Sequence, residues 1–389
     1  MAVNTMGIED AYALIAAIHS QVTGKTTLAP TDVSGFVSVA QATLQNGYDP
    51  VMSAISTVIS KTLIAVRPYS RKFKGLEVTS EKWGGIIRKI NFADRGPIAE
   101  DTYALTDGSP VDQFVVRTPS VLETRYVGSA VYEGQYTIFT KQLDMAFSAP
   151  DEFARFMSGL MEHFSNEREQ WLEDLSRTIL MNMIAAKDDA NNSVFNVLTE
   201  YNTATGLSLT ATTVMQPANF IGFCKWLYAR IEGISDMMTE RTENFQLKIT
   251  GYDINRHTPK EDQKVYMLSQ FLSNVGAMVL SDTYHDNFLR LADVEAVNFW
   301  QSSLTPMSVS AKPVYIDSAG AVKVASANVV VNPVIGVMFD RDACGYNIYD
   351  DSIEVSPYNA KGQYYNMFSH VRVQLQNDLT EKAAVLLLA

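Results

Sequence analysis

The chain has 389 residues, 47% of them hydrophobic, which is enough for two or three domains with a substantial core. Its formal net charge is -12 at pH 7, whereas a protein that reads nucleic-acid sequence normally carries a basic footprint. Only Cys224 and Cys344 are present, so neither a disulfide framework nor a cysteine-based metal site is predicted, and a reducing compartment is expected.

Residues 1–63 are predicted to form short amphipathic helices, separated by turn-rich stretches at 23–30 and 46–50. We interpret them as an N-terminal arm and not as a domain. No basic segment precedes the apolar run 11–18, and no stretch approaches 18 apolar residues, so neither a signal peptide nor a membrane span is predicted. Gly24, Lys25 and Thr26 match the end of a phosphate-binding loop, but position 19 lacks the required glycine, which favours a simple turn.

Residues 64–118 are predicted to form an extended loop, a β-hairpin with too little apolar material for a core of its own. Its β-prone runs are 63–66, 85–90 and 113–116. Basic side chains concentrate here although the whole chain is acidic: Arg67, Arg71, Lys72, Lys74, Lys82, Arg88, Lys89 and Arg95. The economical interpretation is that the loop contacts an acidic surface of another subunit, and the alternative is a solvated charged loop.

A strand-rich stretch at 119–147 leads into one long helix, predicted at 148–187 with Ser148 and Asp151 as a capping box and Pro150 in its first turn. At 1.5 Å rise per residue this helix would be roughly 60 Å long. Its apolar stripe consists of Phe153, Phe156, Met157, Leu160, Met161, Phe164, Trp171, Leu172, Leu175, Ile179, Met183 and Ile184. The opposite, polar face is predicted to carry Glu162, Asn166, Glu167, Arg168, Glu169, Glu173, Asp174 and Arg177.

The rest of the chain is predicted to be mixed and then strand-rich. Thr258, Pro259 and Glu261 indicate a capping box before a helix that ends near Ser273. Because the chain ends on an apolar run, its C-terminal strand is expected to lie inside a sheet. The other predicted elements are a helix at 216–231, strands at 246–251, 277–281, 294–300, 329–331, 334–339, 346–349, 364–376 and 383–388, and a hairpin at 312–325 turning at 318–320.

No pattern in the sequence predicts a catalytic or cofactor site. His163 and Glu167 lie one helical turn apart, but two ligands without further partners are weak evidence for a metal. The spaced acids Asp340, Asp342, Asp350 and Asp351 are more typical of solvated turns. Nucleophile-elbow and metalloprotease motifs are lacking, so an enzyme is not predicted.

The order of elements resembles the major capsid protein of tailed bacteriophages, a fold shared with the floor of herpesvirus capsids. The resemblance covers essentially the whole chain. Its most specific stretches are 140–187, which is similar to the spine helix with its entering strand, and 337–388, which is similar to strands of the peripheral domain and includes Phe339, Asp340, Arg341, Asp342 and the later run from Tyr364 to Gln376.

The resemblance implies an α+β fold and a self-assembling subunit of an icosahedral shell around packaged double-stranded DNA. The implied parts are an N-terminal arm (1–63), an extended loop (64–118), a peripheral domain (119–212 and 336–389) and an axial domain (213–335). The implied partners are further copies in hexamers and pentamers, a separate scaffolding protein, a portal and non-specific contact with DNA, in a virion assembled in the host cytoplasm and without cofactor or membrane. The alternatives are a cellular nanocompartment shell and a hydrolytic enzyme.

Overall fold

The computed structural model describes residues 6–26, 28–61, 69–78, 87–96, 105–108, 114, 116, 118–127, 129–272 and 293–389. Helices and sheets are both well represented, which confirms the α+β prediction. The helices are α1 (Ile8–Thr23), α2 (Val33–Leu44), α3 (Tyr48–Lys61), α4 (Thr140–Ala146), α5 (Pro150–Asp189), α6 (Val197–Thr205), α7 (Ala211–Val214) and α8 (Pro217–Thr239).

Fourteen strands are seen in the described residues: β1 (Ile87–Phe92), β2 (Val121–Tyr126), β3 (Ser129–Phe139), β4 (Val194–Asn196), β5 (Gln263–Leu268), β6 (Asp293–Val297), β7 (Val309–Ala311), β8 (Val314–Ile316), β9 (Val322–Val324), β10 (Val329–Val331), β11 (Val334–Asp340), β12 (Cys344–Val355), β13 (Tyr364–Asn377) and β14 (Ala383–Leu387). The predicted strands at 63–66 and 277–281 lie outside the described residues.

The long helix α5 is confirmed, with 40 residues and a length of about 60 Å. Its predicted capping box is wrong. The helix begins at Pro150 after an extended Ala149, and no side chain caps it; the Ser148 hydroxyl instead donates to the Met145 carbonyl at 2.6 Å. Proline suffices as the first residue because its missing N–H has no intrahelical partner at that position.

Two hydrophobic cores lie along α5, one on each half. The N-terminal half packs against α1, α2 and α3, with Phe36 and Ile55 meeting Phe153 and Met157 in one buried cluster. The three N-terminal helices are therefore folded onto α5, since their apolar faces have a partner there and do not form a free arm. The C-terminal half, from Leu172 onward, contributes to the larger core with α8 and the sheets.

The C-terminal strand lies inside a sheet, as predicted. A five-stranded sheet has the order β4-β14-β11-β5-β6, so β14 pairs on both sides, antiparallel to β11 and parallel to β4. All of Ala383–Val385 is buried. A second sheet has the order β12-β13-β3, and the long antiparallel pairing of β13 with β3 runs from Tyr364 opposite Phe139 to Gln374 opposite Ser129.

The helix predicted after Thr258 is wrong. A single 3₁₀ turn at Lys260–Asp262 is followed at once by β5, which pairs with β11. The Thr258 hydroxyl is buried and donates to the Asp340 carboxylate at 2.7 Å, so it has no capping role. The predicted strand at 246–251 also does not form.

Elsewhere the predicted elements are present with altered ends. Helix α8 continues to Thr239 because Ile234 and Met238 extend its buried stripe. The hairpin β8–β9 turns at Gly320, whose φ of 80° lies in the left-handed region that favours glycine. In the described part of the loop region, β1 pairs antiparallel with β2, which begins at Val121, and the predicted run 113–116 lies partly outside the described residues.

Candidate intersubunit interface

The eight basic residues predicted for a subunit contact fall into three groups. Arg67 and Lys82 lie outside the described residues. Lys72, Lys74 and Arg95 are exposed. Arg71, Arg88 and Lys89 form ion pairs within their own chain. The last group shows that part of this positive charge holds the loop onto its own subunit.

Arg71 binds the segment 69–78 to the middle of α5. Its side chain is 3% exposed and pairs with Glu169 of α5 at 2.5 Å and with Glu77 of its own segment. The neighbouring Phe73 and Leu76 are buried in the larger core. A main-chain hydrogen bond from Val78 to the Tyr346 carbonyl at 2.9 Å joins the segment to β12. This stretch is therefore part of the folded body.

Glu173 and Arg177 of α5 form a second buried pair beside Arg71, and their placement on the polar face was wrong. Both are less than 9% exposed, and the Arg177 guanidinium donates to Glu173 at 2.7 Å and to the Phe299 carbonyl at 2.5 Å. The Tyr69 hydroxyl donates to the other Glu173 oxygen. Burial raises the pKa of Glu173, but the hydrogen bonds from Tyr69 and Arg177 outweigh it and bring that pKa below its ordinary value.

Lys89 holds the inner face of the β1–β2 ribbon against the turn before β14. Its ammonium group lies 2.9 Å from Asp378 and also pairs with Glu381. Burial lowers the pKa of Lys89, but the two carboxylates outweigh this effect and raise it overall. Burial raises the pKa of Asp378, but Lys89 and the Thr380 hydroxyl, which donates to Asp378 at 2.6 Å, outweigh it and bring that pKa below its ordinary value.

The outer face of the ribbon has the opposite character. Arg88 and Arg125 both pair with Glu123 there, at 2.6 Å each, and their side chains are more than half exposed. Towards the far end of the ribbon the same face carries Ile90, Phe92 and Val121, of which Phe92 is 63% exposed. The ribbon thus has one face bound by buried charges and one open face that combines ion pairs with apolar side chains.

Sequence reasoning missed the carboxylates that receive these cations. Glu77, Glu169, Asp378 and Glu381 come from three separate stretches of the chain, and only the tertiary fold brings them to Arg71 and Lys89. The spacing of residues along the sequence does not reveal contacts between such distant stretches. The density of basic residues predicted an acidic partner on another subunit, whereas Arg71, Arg88 and Lys89 have acidic partners in their own chain.

The other candidate sites do not assemble. His163 and Glu167 lie 3.4 Å apart on the α5 surface, and Asp340 is engaged by Thr258 and by the Asp342 N–H. Among the described residues, no three histidine, cysteine or acidic side chains converge as metal ligands. Cys224 and Cys344 are both buried, and burial raises the pKa of the Cys224 thiol to about 12.

A long helix with a hydrophobic core on each half and a charged β-ribbon make up the arrangement, and comparison with known proteins identifies its family. The family model of the Phi29-like phage major capsid protein matches residues 15–387. The chain belongs to this family. A comparison with curated proteins finds no match.

Solved phage structures share the fold at low sequence identity. A chain of the capsid structure of Staphylococcus phage Andhra is 9% identical with a TM-score of 0.53, and the match covers 84% of this chain and 86% of that one. A chain from the structure of the head fiber and inner core protein gp22 of native bacteriophage P68 is 10% identical with a TM-score of 0.54, and the match covers 84% and 87%. At these identities the likeness concerns the fold.

Family membership makes the chain a structural subunit of a phage capsid shell, and so a component of the virion. It confirms the predicted resemblance and the prediction that the protein is not an enzyme. The alternatives of a nanocompartment shell and a hydrolase are not favoured. None of the helices in the described part of the chain combines the length and apolarity that a membrane crossing requires.

Proposed function

We propose that this subunit forms homo-hexamers and pentamers of an icosahedral shell that encloses packaged double-stranded phage DNA and is assembled in the host cytoplasm. The observation that carries the proposal is the two-faced β1–β2 ribbon. Its inner face is fixed by Lys89 to Asp378 and Glu381 of its own chain, while its outer face leaves Phe92 and Val121 open. A ribbon held in this way is suited to contact a neighbouring copy.

Charge supports the same contact. The chain carries a net charge of -12, so acidic side chains outnumber basic ones on any neighbouring copy. Lys72, Lys74 and Arg95 are exposed on the loop, and Arg67 and Lys82 belong to the same stretch of sequence. Complementary charges direct association and fix register more than they add affinity. We therefore assign the intersubunit role to these residues, and assign Arg71 and Lys89 to anchoring the loop on its own subunit.

The parts implied by the resemblance fit this role. We propose that α5 braces a peripheral region formed by 119–212 and 336–389, that 213–335 forms the axial region around the symmetry axes, and that the extended loop returns only at Tyr126, where β2 ends. The N-terminal helices would then brace the near half of α5. A helix of about 60 Å would brace a flat, wide subunit of the kind that a thin shell requires.

We further propose that assembly uses a separate scaffolding protein and a portal, and that contact with DNA is non-specific. A shell filled by DNA must let the duplex slide, and each phosphate contact from lysine or arginine would retard that movement. An acidic subunit in which Arg71 and Lys89 pair with carboxylates of their own chain fits this requirement.

Charge reversal at the two exposed lysines tests the loop contact. The double variant Lys72→Glu/Lys74→Glu is expected to keep its circular dichroism and thermal unfolding, because both side chains are exposed, and to lower the yield of sedimenting shells at least tenfold. The charge-conserving variant Lys72→Arg/Lys74→Arg is the matched control and is expected to assemble normally. Normal shells from the Glu variant would contradict the contact. Arg71 is left unchanged because its reversal would place a third carboxylate beside Glu77 and Glu169 and destabilise the subunit itself.

A further inference from the structure

The C-terminal end of α5 carries a lysine that is fully buried. Lys187 is 0% exposed, and its amine donates to the Asn192 side-chain oxygen at 2.8 Å and to the Phe245 carbonyl at 2.9 Å. Both acceptors are neutral, and no carboxylate in the described part of the chain forms an ion pair with this amine. An unpaired buried ion loses its hydration without compensation. The site therefore favours the neutral amine, whose two N–H groups meet two acceptors.

Lys187 lies where three stretches of the chain meet. The Phe245 carbonyl that receives its amine also accepts from the Ala383 N–H at 2.9 Å, at the start of β14. The Asn192 side-chain amide donates to the Gln246 carbonyl at 3.0 Å. These contacts connect the end of α5 to the sheet through one short segment. We call the three stretches that meet at Lys187 the lysine junction: residues 190–193, 245–247 and 383–385.

The backbone of the lysine junction has an unfavourable conformation at three places. Asn191, Ser193 and Phe245 have φ values of 46°, 58° and 69°, in the left-handed region that residues other than glycine rarely adopt. Such conformations persist only while the surrounding structure fixes them, and they concentrate in switch regions. The two hydrogen bonds from Lys187 are part of what fixes Phe245 and the turn after α5.

Protonation changes how the amine fits this site. An ammonium group has three N–H donors, whereas the closed junction offers two acceptors. Burial lowers the pKa of Lys187 to about 7 from 10.5. A lysine that reaches water regains the ordinary pKa. Between these two pKa values, therefore, the opened junction binds a proton that the closed junction does not bind.

We propose that the lysine junction is a proton-dependent latch, which the neutral Lys187 amine keeps closed and which opens with the uptake of one proton. Opening separates the turn 190–193 from the segment 245–247 and so loosens the attachment of α5 to β14. Because one proton is bound, the ratio of open to closed junctions rises roughly tenfold for each pH unit of acidification in this range. The rise levels off below about pH 7, where the closed form also takes up the proton.

Other charged groups adjoin the lysine junction on each element packed against it: Asp188 and Asp189 on α5, Glu240 after α8, and Asp378 and Lys382 before β14. Aspartate and glutamate ordinarily titrate near pH 4, well below the range in which Lys187 does. Asp378, whose charge acts on Lys187, pairs with Lys89 and has a lowered pKa. Lys382 is a second buried lysine whose pKa is lowered by burial, so the test must separate it from Lys187.

Hydrogen exchange of the unassembled full-length subunit, followed by mass spectrometry, tests the latch. Peptides that cover the lysine junction are measured between about pH 9 and pH 7.5, and each rate is divided by the intrinsic exchange rate at that pH. In the wild type this ratio is expected to rise roughly tenfold for each pH unit of acidification. In Lys187→Met, which retains Lys382, it should stay constant.

Lys248→Met is the matched control. Lys248 follows the segment 245–247 directly, but its side chain is 45% exposed and pairs with Glu243 and Asp253 on the surface. This variant is expected to keep the pH dependence of the wild type.

A ratio that does not change with pH in the wild type would overturn the latch, whether or not Lys187→Met folds. Equal pH dependence in the wild type and in Lys187→Met would assign the proton to another group and overturn the role of Lys187. The measurement uses subunits before assembly, so its outcome does not depend on the proposed shell.

Discussion

Removing the Arg71 side chain is expected to destabilise the subunit itself, before any effect on assembly. In Arg71→Ala, Glu169 and Glu77 lose their shared cation while their side chains remain 16% and 34% exposed. Breaking a buried ion pair by deleting one partner costs about 3–5 kcal/mol. Water can reach Glu77, so the lower end applies, and a loss of about 3 kcal/mol corresponds to roughly a hundredfold change in the folding equilibrium.

The assay is denaturant unfolding of the purified subunit, with Arg155→Ala as the matched control. Arg155 lies on α5, the helix that also carries Glu169, and pairs with Glu152 at 3.6 Å, but its side chain is 78% exposed. Exposed pairs of this type contribute about 0–1 kcal/mol. Equal unfolding midpoints for the two variants would refute the anchoring role of Arg71 and favour its assignment to the contact between subunits.

Three further predictions concern packing and pH. Gly345→Ala is expected to lower the free energy of unfolding by about 1–3 kcal/mol, because its Cβ would lie 2.8 Å from the Leu76 carbonyl oxygen. The control Gly233→Ala has no neighbour within 4 Å of its Cβ and should be neutral or stabilising. Thermal unfolding of both variants compares them. The stability that Glu173 contributes is present above its ordinary pKa of 4.5 and is lost as pH falls through its lowered pKa in the folded state. The variant Glu173→Gln should therefore lose less stability than the wild type as the pH is lowered. An equal loss in both would contradict the lowered pKa. Burial lowers the pKa of Lys187 to about 7 from 10.5. Between these two pKa values the unfolded chain holds a proton that the folded subunit has released. The free energy of unfolding should therefore rise with pH in that range in the wild type but not in Lys187→Met.

The elements that could be predicted from the sequence are those whose pattern is local and long. Helix α5 carries its apolar stripe over many turns, and β14 is a continuous apolar run, so both were predicted correctly within two residues at each end. The start of α5 was misplaced because serine three residues before an acid is a common pairing, and the proline two positions later was the stronger signal.

The failures have a tertiary cause. Glu173 and Arg177 have the charges of a solvated face, yet the segment 69–78 and Trp300 cover them and supply partners. Thr258, Pro259 and Glu261 have the residue types of a capping box, but the stretch that follows is buried and pairs with β11 in a sheet. The assignment of all eight basic residues to an interface could not separate anchors from exposed charges, since their carboxylate partners are up to 292 residues away.

Cryo-electron microscopy of particles from cells that express the full chain with its neighbouring genes tests the central claim most directly. The account predicts closed icosahedral shells built from hexamers and pentamers of this chain, with the outer face of the β1–β2 ribbon covered by a neighbouring copy. Chain that remains monomeric, or closed shells in which that face touches no other subunit, would contradict it.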